Sequence, residues 1–79
     1  MSASPIKVEP LALDVSVTED YLRVRLVDGR EIAVPLAWFP RLADATPEER
    51  NNWRLIGQGI GIHWPLIDED LSIAGLLRT

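Results

Sequence analysis

"YLRVRLVDGREIAVPL", Tyr21 to Leu36, decides the fold. Leu22, Val24 and Leu26 alternate with Tyr21, Arg23 and Arg25, and Ile32, Val34 and Leu36 alternate with Glu31, Ala33 and Pro35. A period of two puts one set on the buried face of a strand and the other in water. Two such runs around a glycine predict an antiparallel hairpin, and the apolar pattern fixes its register. A two-residue turn at Asp28-Gly29 would set Leu26 against Glu31 and Arg25 against Ile32, apolar opposite charged on both faces. A three-residue loop, Val27-Asp28-Gly29, sets Val24 opposite Ile32 and Leu22 opposite Val34. It also places Gly29 at the left-handed position of a type I turn with a G1 bulge. The longer loop is therefore predicted. Pro35 has no N–H for a ladder, so the strand containing it is an edge or ends there.

Upstream, Leu11, Leu13, Val15 and Val17 alternate with polar residues and predict a preceding strand, turned by Thr18-Glu19-Asp20. Downstream, "AWFPRLADA" breaks the alternation. Pro40 suits the first position of a short helix, with Trp38 and Phe39 as its anchors. "TPEER" is a capping box: Thr46 as N-cap, Pro47 at N1, and Glu49 reaching back to the Thr46 amide. The predicted helix runs to about Ile56 and stops at Gly57, with Trp53 and Ile56 docked on the sheet and Arg50 and Arg54 on a wetter face. In "GIGIHWPLI", Ile60, Ile62, Trp64 and Leu66 fall on one side, and Gly61, His63 and Pro65 on the other. Asp68-Glu69-Asp70 then stand at the positive end of a short C-terminal helix, "LSIAGLLRT".

Seventy-nine residues make one domain. So short a chain buries only roughly 60% of its unfolded surface. It has no cysteine, which removes disulfides and thiolate zinc sites. Large side chains or self-association must substitute, and Trp38, Trp53 and Trp64 are the largest available. No stretch reaches the ~18 apolar residues of a membrane span, and "MSASPIKVEP" lacks the basic start and apolar run of a secretory signal. A bacterial-type cytoplasm is the expected compartment. Eight basic and twelve acidic residues give a net charge of −4 and a pI near 4.7. Six arginines against five acids make residues 21–54 locally +1. A nucleic-acid surface calls for a basic face and a high pI, so the charge balance argues against DNA or RNA as the main partner.

Several residues invite chemistry. His63 would need a nucleophile or an orienting carboxylate within hydrogen-bond reach to act as a base. Asp68 and Asp70 lie beyond the strand end, so a structural imidazole that fixes that end is the simpler assignment. As a calcium loop, Asp68, Asp70 and Ser72 match the first three oxygen positions. Ile73 then stands where glycine must turn, and Thr79 where a bidentate glutamate must bind. One histidine with loose carboxylates gives no tetrahedral zinc set either; no metal or cofactor is expected. Gly57, Gly59 and Gly61 follow a helix and precede a strand, the reverse of a dinucleotide loop, and fit helix termination and a close strand crossing instead. On charge grounds Arg23 and Arg25, joined by Arg41, are the candidate partner-docking residues; the alternative is a solvated sheet face that discourages edge pairing.

The order of these signals resembles a family of small bacterial proteins, Domain of Unknown Function 2442. The resemblance spans residues 10–79 and rests on "DGR" (Asp28–Arg30), "PLAWFPRL" (Pro35–Leu42), "ATPEER" (Ala45–Arg50), Trp53 and "GIHWPLIDEDLSIAGLL" (Gly61–Leu77). It implies an antiparallel sheet with short helices and no established activity. Some members are encoded beside another small protein in the manner of toxin–antitoxin pairs. Others carry a helix-turn-helix domain after the module, and the absence of one after Thr79 counts against direct DNA reading.

The expected fold is thus a single α+β domain with residues 1–9 loosely ordered. A three- to four-stranded antiparallel sheet has one capped helix on one face and a short C-terminal helix. Gly29, Trp38, Pro40, Thr46, Glu49, Trp53, His63, Trp64, Asp68 and Asp70 are its structural signature. The expected function is a non-catalytic protein-interaction or regulatory module, antitoxin-like, binding the neighbouring gene product or a second copy of itself. An accessory nucleic-acid-binding domain built on the arginines and a small metal-dependent hydrolase centred on His63 are the alternatives.

Overall fold

The computed structural model describes residues 10–78, so the expectation for residues 1–9 lies outside the described residues. Three strands come first: β1 (Ala12–Val17), β2 (Tyr21–Leu26) and β3 (Glu31–Pro35). A 3-10 turn (Leu36–Trp38) leads into two short helices, α1 (Pro40–Ala43) and α2 (Pro47–Asn51). Three more strands follow, β4 (Arg54–Ile56), β5 (Gly61–Trp64) and β6 (Glu69–Ser72), and then α3 (Ile73–Leu77). The class is α+β with antiparallel sheets and short helices, as the patterning predicts. The strands, however, are shared between two three-stranded sheets, β1-β2-β3 and β4-β5-β6, rather than gathered in one.

The first sheet follows the hairpin register. Val24 pairs with Ile32 and Leu22 with Val34, Gly29 takes φ +96, and β3 ends at Pro35 as an edge strand. Leu22, Val24 and Leu26 are fully buried. In β1 the expected alternation fails at one point. A bulge between Ala12 and Asp14 inserts Leu13 as an extra residue, so Ala12 turns inward and Leu13, expected inside, is 56% exposed.

The second sheet exists because α2 is shorter than its cap suggests. Thr46 and Glu49 exchange both capping-box bonds, and Pro40 and Pro47 open their helices, as predicted. The helix then ends at Asn51, the first of two successive asparagines that are poor helix formers, with Asn52 as its C-cap. Arg54–Ile56 becomes a strand that pairs Leu55 with Ile62. Leu55 and Ile62 thereby face inward, whereas Ile56, expected to dock with Trp53, is 40% exposed. Gly57 is not a helix stop but the start of the β4–β5 connection, where Gly57, Gln58 and Gly59 all take positive φ. Asp68-Glu69-Asp70 do not begin a helix either. Glu69 and Asp70 lie in β6, Asp68 is a left-handed turn residue at φ 51, and α3 is capped by the Ser72 hydroxyl, which accepts from the Gly75 amide. Ile60 and Leu66, read as continuing the inner side of β5, lie beyond its ends and are exposed.

Both sheets face one core. Val15, Leu22, Val24, Leu26 and Val34 from the first meet Ile62 and Trp64 from the second, with Leu36, Leu42, Ile73 and Leu76 from the helical segments. Trp64 is fully buried and Trp53 packs against the core, but Trp38, expected as an anchor, is 56% exposed; half-buried Phe39 takes that place. Arg50, expected on a wet face, is among the buried residues. Its Nε donates to the Leu42 carbonyl at 2.9 Å and its Nη2 to the Ala43 carbonyl at 2.8 Å, satisfying the end of α1. Its own carbonyl accepts from the Trp64 indole at 3.0 Å. One residue thus joins α1, α2 and β5.

Gly59 brings the two halves into close backbone contact: a Cβ there would lie 2.5 Å from the Ala12 oxygen and 2.8 Å from its nitrogen. Gly29 has a similar φ and open space around it.

Two stability predictions follow from these contacts. Arg50→Ala takes a donor from both the Leu42 and the Ala43 carbonyls, although Leu42 keeps its bond from the Ala45 amide, and should cost about 2–4 kcal/mol in urea unfolding. Arg50→Lys, with one compact charge in place of a planar fork, should recover part of that loss. Gly59→Ala should destabilise by more than Gly29→Ala, which carries only the left-handed penalty of about 1–2 kcal/mol. Equal losses at the two glycines would show that the Ala12 approach is not needed.

Candidate functional site

Arg23 and Arg25 alternate with the buried residues of β2 and therefore stand on the outer face of the first sheet. Register builds the rest of that face. Arg25 lies between Asp14 of β1 and Glu31 of β3, and Arg23 lies between Ser16 and Ala33. Asp14, Val15, Ser16, Arg23, Arg25 and Glu31 line a hollow of about 250 Å³. Arg23 Nη1 sits 3.5 Å from Glu31 Oε1, with both side chains half in water, and its guanidinium carbon lies 5.5 Å from the Tyr21 ring centroid. Such an exposed pair is worth about 0–1 kcal/mol, so it orients Arg23 more than it stabilises the fold.

Arg41 does not join this group. It belongs to α1, and its Nη1 donates to the carbonyls of Ile67 at 3.1 Å and Asp68 at 3.0 Å, pinning the β5–β6 turn. The remaining signature residues are spread through the scaffold: Gly29 in the first hairpin, Trp38 and Pro40 at the helical crossover, Thr46 and Glu49 in the cap, Trp53 and Trp64 against the core. Among the members of the hollow, Asp14, Ser16 and Glu31 were not singled out from the sequence. Extending the β1–β2 register through the Glu19-Asp20 turn would have placed Asp14 beside Arg25 and Ser16 beside Arg23.

His63 and Asp70 are brought together elsewhere, on the outer face of the second sheet, where Arg54, His63 and Asp70 form one row across its three strands. His63 Nδ1 lies 2.5 Å from Asp70 Oδ1. A carboxylate accepts, so Nδ1 carries the proton and the bond fixes the ring against β6. Asp68 is not part of this pair; its backbone serves Arg41. Among the described residues no group of three or more histidines and acids is placed to hold a metal ion, and no buried side-chain nitrogen or oxygen lacks a hydrogen-bond partner. Among them, too, no helix is long and apolar enough to cross a membrane.

Comparison with known proteins agrees with this architecture. None of the curated proteins matches the chain. A protein of unknown function from Rhodospirillum rubrum, known from its crystal structure, superposes with a TM-score of 0.76 at 30% identity, over 90% of this chain and 88% of its own. A family model described as "Protein of unknown function (DUF2442)" matches residues 12–79, which include both sheets and all the helices. By that match, and with the hairpin register, capping box and His63-Trp64 strand all in place, the chain belongs to the DUF2442 family.

Proposed function

We propose that this chain is a non-catalytic interaction module, the regulatory, antitoxin-like member of a two-gene pair, and that it docks a protein partner on the outer face of the first sheet. The observation that carries this reading is the hollow around Arg23 and Arg25. Arginine and tyrosine are enriched at protein interfaces, where a planar guanidinium or a ring covers much area with few rotors. The same face disfavours a nucleic-acid partner. Each arginine has an acid beside it, Arg25 between Asp14 and Glu31 and Arg23 against Glu31. Phosphates would meet those carboxylates as well as the guanidinium groups, whereas binding by counterion release needs an uncompensated basic track. Alternating charge suits a protein surface of complementary pattern, which gains orientation and rate of encounter from it.

Co-expression with the product of the adjacent gene tests this. The two proteins should co-purify, and the adjacent product alone should slow growth that this chain restores. Arg23→Ala with Arg25→Ala should weaken co-purification roughly 10- to 100-fold while leaving the unfolding midpoint nearly unchanged. Retention of the wild type on heparin at moderate salt, lost in that double variant, would favour the nucleic-acid alternative. An adjacent product that neither binds nor harms growth would remove the antitoxin reading.

A further inference from the structure

The four sheet edges are not equally protected. β4 has only three residues. β1 is kinked by its bulge and crossed at Ala12 by Gly59. On β6 the outward amide of Asp70 is taken by the Glu69 carboxylate at 3.1 Å. These are the usual ways of blunting an edge. Among the described residues β3 has only Pro35 at its end as such a device, and that residue selects a pairing rather than forbidding one.

Leu26 donates to Arg30 and Leu36 donates to Asp20, so the even positions of β3 bond to β2 and the odd ones point away. The outward groups are therefore the N–H and C=O of Glu31 and Ala33, and the C=O of Pro35. We propose that a second copy of this chain pairs with β3 antiparallel, about a two-fold axis through Ala33, making one six-stranded sheet. In this register the two Ala33 residues exchange both backbone bonds, and each Glu31 N–H meets the Pro35 carbonyl of the other copy. Four bonds form, and the donor that proline lacks is needed only at the margin. On the inner face Ile32 of each copy lies opposite Val34 of the other. Ile32 is half-buried in the single chain, so its remaining apolar surface is covered.

Neighbouring registers are worse on the same grounds. An axis through Ile32 sets Val34 against Arg30 and makes the two Glu31 carboxylates diagonal neighbours, which repel. An axis through Val34 puts both Pro35 residues opposite Ala33 and keeps only two bonds. The small, exposed side chain of Ala33 leaves room for close approach at the axis. This pairing is independent of docking on the Arg23 and Arg25 face, although it would set two such faces side by side.

Sedimentation over a range of concentrations, with chemical cross-linking geometry as a second arm, tests the pairing. The wild type should reach twice its 8.8 kDa mass. Ala33→Pro removes both central donors without touching the β2–β3 ladder, and should raise the dissociation constant roughly 10- to 100-fold. The chain has no cysteine, so Ala33→Cys is a clean probe. A hydrogen-bonded antiparallel pair holds its Cα atoms about 5.5 Å apart, within disulfide range. Oxidised glutathione should link Ala33→Cys into a dimer faster than Leu13→Cys, whose side chain is also exposed, on β1. A wild type that stays monomeric to about 1 mM, which is weaker than most specific self-association, overturns the proposal. So does cross-linking at position 33 no faster than at position 13. A monomer that still binds the adjacent gene product through Arg23 and Arg25 would sink the pairing alone, and a dimer that does not bind it would sink only the docking.

Discussion

A guanidinium buried among carbonyl oxygens organises this small domain. Arg50 closes the end of α1 by donating to Leu42 and Ala43, and its carbonyl receives the Trp64 indole proton. A four-residue helix and a five-residue helix have too few internal bonds to persist alone. Their free carbonyls would be a burden inside a core. Arginine answers both problems because its fork reaches two acceptors at fixed spacing. Tryptophan supplies the second half, filling space that one short chain cannot fill otherwise while its N–H finds a partner. In a fold with no disulfide, this linkage does the work of a staple.

What could be read from the sequence was local and chemically constrained. The β2–β3 register was legible because apolar alternation and a left-handed glycine agreed on one loop length. The caps were legible because Thr46, Pro47 and Glu49 specify neighbouring amides within three residues. Three features depended on distant contacts. The inward turn of Ala12 requires the Gly59 backbone beside it, which no pattern near Leu13 announces. The early end of α2 depends on Leu55 finding Ile62, a gain that outweighs a glycine placed to suggest a longer helix. The acids after Ile67 resemble a helix start by charge, yet Glu69 and Asp70 serve a strand because the His63 ring lies across from Asp70. The candidate face divides the same way. Arg23 and Arg25 could be placed by alternation, whereas Arg41 could not be separated from them until the β5–β6 turn was seen to hold it.

The placement of charge separates two kinds of surface. Arg41 and Arg50 bond to backbone carbonyls, and His63 bonds to a carboxylate across a strand; these groups hold shape. Arg23 and Arg25 stand in water beside acids of the adjoining strands, where their contribution to stability is small. The first group is committed to the scaffold, whereas the second is held in order by Tyr21 and Glu31 without the fold depending on it. Membership of the DUF2442 family covers residues 12–79, a stretch that holds both the shape-holding groups and the Arg23–Arg25 face.

The two sheets also occupy successive stretches of the chain, residues 12–35 and 54–72, and no strand of one is interleaved with the other. Each sheet closes by short hairpins, so most pairing is between near neighbours in sequence, the condition for rapid formation. A nascent chain can complete the first meander before the second is synthesised. Until Trp64 emerges and reaches Arg50, though, the apolar side of that meander has only Leu36, Phe39 and Leu42 to cover it. Synthesis therefore passes through an interval in which part of the core is exposed, and the arrival of Ile62, Trp64, Ile73 and Leu76 ends it.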